Sequence, residues 1–123
     1  MQNGKAVVVV VQDLFFAVRL SDALRSLGYK GLTVQDECEL LPTMADARPQ
    51  LIILDLQGHI KPQTVVRAAR ESVPGRAIPV LAYGLHTDLK RRDEALQAGV
   101  RRVVSKSLIA SELPQLVKSI LRV

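Results

Sequence analysis

The sequence predicts an open α/β fold: a parallel sheet wound in both directions, with helices on each face. Three observations carry this. Val7 to Val11 are five consecutive valines. Leu51-Ile52-Ile53-Leu54-Asp55-Leu56 sets four aliphatic residues directly before a carboxylate. Runs that are apolar at every position need burial on both faces, as the central strands of parallel sheets have. Third, between such runs the apolar period changes to three or four residues, the period of a helix, and the two patterns alternate along the chain.

The elements follow in order. Lys5 to Val11 is the first strand and ends at Gln12-Asp13. Phe16, Leu20, Leu24 and Leu27 form the apolar stripe of a helix over 14–27, which Gly28 stops as glycine does just past a helix end. Gly31 to Gln35 reads as a short edge strand. Glu37 to Ala47 is a weaker helix, and Pro42 predicts that its regular part starts near that proline. Arg48-Pro49 leads into the Asp55 strand. Gly58 to Pro62 is a loop, and Gln63 to Val73 a helix with Val65, Val66 and Ala69 inward. Pro74-Gly75 is a turn. Ile78 to Tyr83 is the fourth strand, with Pro79 at its entry. Thr87 or Asp88 caps a charged helix over 89–98 that ends at Gly99. Arg101 to Ser105 is the fifth strand. Ser111 is expected to cap the last helix, with Pro114 in its first turn and Leu113, Leu116, Val117, Ile120 and Leu121 along its apolar face.

Five strand–helix units with right-handed crossovers match a flavodoxin-like, doubly wound five-stranded parallel sheet of order 2-1-3-4-5. The 123 residues fit a single domain over 1–123, which can bury roughly two-thirds of its unfolded surface without disulfide or metal. A hydrophobic content of 48% argues against disorder. With 3% aromatics and no Trp, recognition of single-stranded nucleic acid by stacking is disfavoured. The +5 charge suits an acidic partner without specifying nucleic acid. The single Cys38 cannot form an internal disulfide. It suggests a reduced, cytoplasmic setting and reads as packing rather than as a nucleophile. No apolar run approaches the ~20 residues of a membrane span, and no secretory signal is visible. No output domain is expected after Val123, so an effect on DNA is expected to require a second protein.

In the predicted topology Asp13, Asp55 and Lys106 end three strands at one sheet edge, where ligands of such sheets bind. Two neighbouring carboxylates need a shared proton or a cation. Mg²⁺ suits them, because it accepts one or two carboxylates, a carbonyl, waters and phosphate oxygens. An aspartate can be a nucleophile that forms an aspartyl phosphate, with a lysine offsetting charge on the transferring oxygens. Each residue also has a plainer reading. Asp55 could cap a loop, Asp13 could cap the helix that starts at Leu14, and Lys106 could be solvated. His59 and His86 lack metal-ligand spacing. No phosphate-binding glycine loop is present. The Lys90-Arg91-Arg92 cluster and the Arg101-Arg102 pair read as solvated faces, or else as a basic patch for an acidic partner.

Over nearly its whole length the chain resembles the receiver domains of two-component response regulators. The likeness rests on Val8 to Asp13, Pro49 to Leu56, Ile78 to Gly84, Ala98-Gly99 and Lys106. It implies a phosphorelay role in which Asp55 is the phosphoacceptor, supplied by a histidine kinase or phosphotransfer protein and read by a downstream effector protein. It also implies a Mg²⁺ site of Asp13, Asp55 and the Gln57 carbonyl, with Lys106 meeting the phosphoryl oxygens. Such a domain is not an enzyme beyond its own phosphorylation and dephosphorylation. Direct contact with nucleic acid or membrane is not expected.

The chain departs from that pattern at identifiable points. Gln12 replaces one acid of the metal-binding pair, which weakens the expected Mg²⁺ site. In the favoured register Asp13 is the direct ligand, and a slip of one residue would change that assignment. Gly84 stands where a Thr or Ser hydroxyl grips the phosphoryl group, Val103 where a switch aromatic sits, and Ser107 where a proline follows the lysine. Tyr83 or His86 could substitute for the hydroxyl, although Tyr83 reads first as packing and His86 as loop. Two functions therefore stand: a Mg²⁺-dependent phosphoacceptor, or a pseudo-receiver acting as a phosphorylation-independent interaction module.

Overall fold

The valine run and the Asp55 run become neighbouring central strands. The structure, a computed structural model, describes residues 5–121. Its ten elements are β1 (Ala6–Val10), α1 (Leu14–Ser26), β2 (Lys30–Val34), α2 (Glu37–Ala47), β3 (Leu51–Asp55), α3 (Pro62–Glu71), β4 (Val80–Gly84), α4 (Leu89–Ala98), β5 (Arg102–Ser105) and α5 (Lys106–Leu121). The sheet has the predicted order β2-β1-β3-β4-β5, and every pairing is parallel. All residues of β1, β3 and β4 are buried, whereas β2 and β5 are partly exposed edges.

Strand side chains alternate between faces, so the sheet divides the core into two layers. Val8, Val10, Ile52, Leu54, Val80 and Ala82 pack with α2, α3 and α4 residues such as Leu40, Met44, Val65 and Ala95. Val7, Val9, Leu51, Ile53, Leu81 and Tyr83 pack with α1 and α5 residues such as Phe16, Leu20, Ile109 and Leu113. Continuing the alternation past Ile53, Asp55 belongs to the α1/α5 side.

Three local expectations are corrected. Helix α2 begins at Glu37, well before Pro42, because Glu39 closes its first turn by accepting from the Asp36 N–H at 3.2 Å. Pro42 and Cys38 both lie exposed, so the carbonyl that Pro42 cannot reach with an N–H faces the solvated side of the helix. Cys38 is thus a surface residue and not packing. In α5 the helix starts at Lys106, and Ser111 does not cap it. The Ser111 hydroxyl donates back to the Leu108 carbonyl at 3.4 Å, and the helix kinks at Glu112 (φ −120°, ψ 21°). Pro114 follows that kink, at the start of the second segment, where its missing N–H does little harm.

The glycine stop at Gly99 is a strict one. Its φ of +114° belongs to glycine, and a Cβ there would come within 2.9 Å of Arg70 and 3.1 Å of Val66.

Candidate functional site

Parallel strands bring their carboxyl ends to one edge, and that edge collects Asp13, Asp55, Gly84 and Lys106. Asp55 is the last residue of β3 and the one charged residue in the buried set among the described residues, at 9% exposure. The Gln57 N–H donates to its Oδ1 at 2.8 Å, an Asx turn that fixes the carboxylate at the head of the β3–α3 loop.

Asp13 does cap α1. The N–H groups of Phe15 and Phe16 donate to its Oδ1 at 3.0 and 3.2 Å. Capping uses one oxygen, and the other is 3.7 Å from Lys106 Nζ. Lys106 also lies over the Phe16 ring, 4.7 Å from its centroid. Lys106 therefore rests on Asp13 and Phe16, and no ion pair joins it to Asp55 among the described residues. Both partners of the Asp13–Lys106 pair are about half exposed, so the pair is weak and readily exchanged.

Gln12 is engaged with the end of β2. Its side-chain amide donates to the Gln35 carbonyl at 2.9 Å, and so links the ends of β1 and β2. No group of three or more His, Cys, Asp or Glu residues gathers into a metal cluster among the described residues. What the edge offers instead is two carboxylates, Asp13 and Asp55, and the carbonyls of the following loop. These are hard oxygen donors of the kind Mg²⁺ accepts while keeping several of its waters. His59 and His86 are both exposed and contribute nothing to this set.

Two contacts had no signal in local sequence pattern. The Arg91 guanidinium donates to Gln57 Oε1 at 2.9 Å, from α4 to the loop beside Asp55. Arg91 also pairs with Asp88, the residue that caps α4 by accepting from the Arg91 N–H at 3.1 Å. Arg91 is thus not simply a solvated cation. The second contact involves Tyr83, the β4 register partner of Asp55. Its ring packs against Phe16 with centroids 5.2 Å apart. Burial, then the charges of Asp55 and Asp13, hold the Tyr83 hydroxyl far above the ordinary tyrosine pKa, so it remains a protonated donor. It lies near the Asp55 carboxylate, but no acceptor meets it with hydrogen-bond geometry.

Gly84 and Val103 line a cleft of about 180 Å³, together with Leu56, Gln57, Leu85 and Arg91. A Cβ on Gly84 would meet Leu56 at 3.4 Å, an ordinary contact, and its φ lies outside the left-handed region. Gly84→Thr is therefore expected to fold, with stability within about 1 kcal/mol of the parent by urea unfolding. A collapse of stability would show the site closed to any side chain.

No family model matches the chain. It is 28% identical over 116 residues to the transcriptional regulatory protein PrrA of Mycobacterium tuberculosis, a match covering 94% of this chain and 49% of that protein. The PrrA of Mycobacterium leprae is 28% identical over 120 residues, covering 98% of this chain and 51% of that protein. The chain spans about half the length of these curated relatives. Among solved structures, a response regulator receiver protein from Burkholderia phymatum superposes with a TM-score of 0.75 at 27% identity, over 98% of this chain and 97% of that one. Its fold is that of receiver domains. Its fold is shared as well with the receiver domain of a Pseudomonas aeruginosa sensor histidine kinase (TM-score 0.80, 22% identity, 98% and 100% covered), whose structure has a magnesium ion coordinated in the active-site cleft. No helix among the described residues is long and apolar enough to cross a membrane.

Proposed function

We propose that this receiver-type domain accepts a phosphoryl group on Asp55, from a histidine kinase or phosphotransfer protein, and passes the change to an effector protein. The observation that carries this is the buried Asp55 carboxylate at the end of the central strand, with Asp13 and Lys106 at the same edge. An Asp55 oxygen attacks phosphorus and forms the new O–P bond. The bond from phosphorus to the donor breaks, and its electron pair leaves with the donor. The Gln57 N–H holds Asp55 Oδ1, which leaves the other oxygen as the nucleophile. Lys106 exchanges Asp13 for a phosphoryl oxygen, a move that suits a flexible point charge already half in solvent.

Asp13, Asp55 and the Gln57 carbonyl are the groups that would hold Mg²⁺. When bound, the ion would neutralise charge on the transferring oxygens. Gln12 is a neutral amide, and it is held by Gln35, so the site has fewer anionic donors than an acidic pair would give and weak binding is expected.

The test is intact-protein mass after incubation with acetyl phosphate. One added phosphoryl group, lost when EDTA removes Mg²⁺, is the expected result. A folded protein that gains no mass would overturn the acceptor reading. It would favour the pseudo-receiver, a phosphorylation-independent interaction module.

A further inference from the structure

Tyr83 is 1% exposed, and its hydroxyl is buried without a hydrogen-bond partner. Folded proteins pair the large majority of their buried polar atoms, because an unpaired one loses water and gains nothing. Phenylalanine would fill the same volume against Phe16 without that penalty. The reason for a hydroxyl lies in what it faces. Asp55 and Tyr83 sit side by side in the β3–β4 register and project to the same side of the sheet. One Asp55 oxygen accepts from Gln57, and a carboxylate has room for about four hydrogen bonds. Phe16 supports the Tyr83 ring from α1 while its own face carries Lys106, so tyrosine and lysine meet on one ring.

We propose that Tyr83 is a positioning residue of the Asp55 site: its hydroxyl donates to the second Asp55 oxygen after a small turn of either side chain. The hydrogen bond stands on geometry alone, and its consequence for phosphoryl transfer rests on the acceptor reading.

A double-mutant cycle separates the two. Tyr83→Phe, Asp55→Ala and the double variant are unfolded in urea. Tyr83→Phe keeps the ring and its packing. It is expected to lower the midpoint when Asp55 is present, and to leave it unchanged or raise it beside Asp55→Ala. Equal shifts in both backgrounds would overturn the bond. The second arm is the rate of uptake from acetyl phosphate, resolved into kcat and KM. Tyr83→Phe is expected to lower kcat about tenfold with KM unchanged. Coupling in the cycle with an unaltered kcat would overturn the positioning role. If the wild-type protein takes no phosphoryl group at all, the acceptor reading fails, and the cycle still decides whether Tyr83 and Asp55 are bonded.

Discussion

Asp55→Asn is expected to abolish phosphoryl uptake, and Asp13→Asn to reduce it at least tenfold while the fold stays intact. The comparison matters because Asp13 has two jobs. Its Oδ1 caps α1, and its Oδ2 faces the edge where Lys106 rests. Asparagine caps a helix as well as aspartate does, so Asp13→Asn preserves the cap and removes the charge. Its stability should stay within about 1 kcal/mol of the parent, since what it loses is an exposed ion pair and a helix-terminus charge. Asp13→Ala should show the same loss of uptake and cost about 1 kcal/mol more through the missing cap. Mass after acetyl phosphate and urea unfolding, run on all three variants, checks this. Full uptake by Asp13→Asn would mean that Asp13 is only a cap.

The second large effect concerns the core, away from the site. Leu24 is 0% exposed and belongs to the α1/α5 layer, in the half of α1 remote from Asp13. Leu24→Ala is expected to cost 2–5 kcal/mol, from lost burial and the cavity left behind, roughly speaking a large share of the ~5–15 kcal/mol typical of a domain. Val18 lies on the same helix at 59% exposure, and Val18→Ala should change stability by about 0.5 kcal/mol or less. Urea midpoints for the pair measure the difference. Similar shifts would mean that the two faces of α1 have been assigned wrongly.

The sheet was legible because its evidence is local and redundant. Val7 to Val11 and Leu51 to Leu54 can satisfy their side chains only between two helical layers, and Gly28 and Gly99 stop their helices by backbone geometry. The two helices that were misread contain prolines. Pro42 suggested a later start, but the Glu39 cap outweighed it. Pro114 suggested a helix capped at Ser111, but the chain enters α5 directly at Lys106 and bends at Glu112. Cys38 was misjudged because small apolar residues are usually buried, and helix phase alone put it outside.

At the site, the placement of Asp13, Asp55 and Lys106 on one edge followed from topology. Their pairing did not. Nothing in the sequence says that Lys106 prefers Asp13 to Asp55, since the choice depends on where α1 and α5 meet over Phe16. The Gln57–Arg91 bond spans 34 residues and has no periodic signature. Tyr83 reads from sequence first as packing and second as a substitute hydroxyl, and the register of β3 and β4 sets it beside Asp55.

Gln57 is held at both ends. Its backbone N–H is fastened to Asp55, its side-chain oxygen to Arg91, and Arg91 in turn to the cap of α4. A link fastened at both ends has no preferred direction. Whatever free energy a modification of Asp55 spends in shifting Arg91, a molecule that grips Arg91 on α4 returns in full at Asp55, because coupling between two sites is reciprocal. With glycine and valine at positions 84 and 103, this three-residue tether offers the sheet edge and α4 a way to inform each other, and the listener is as able to speak as the speaker.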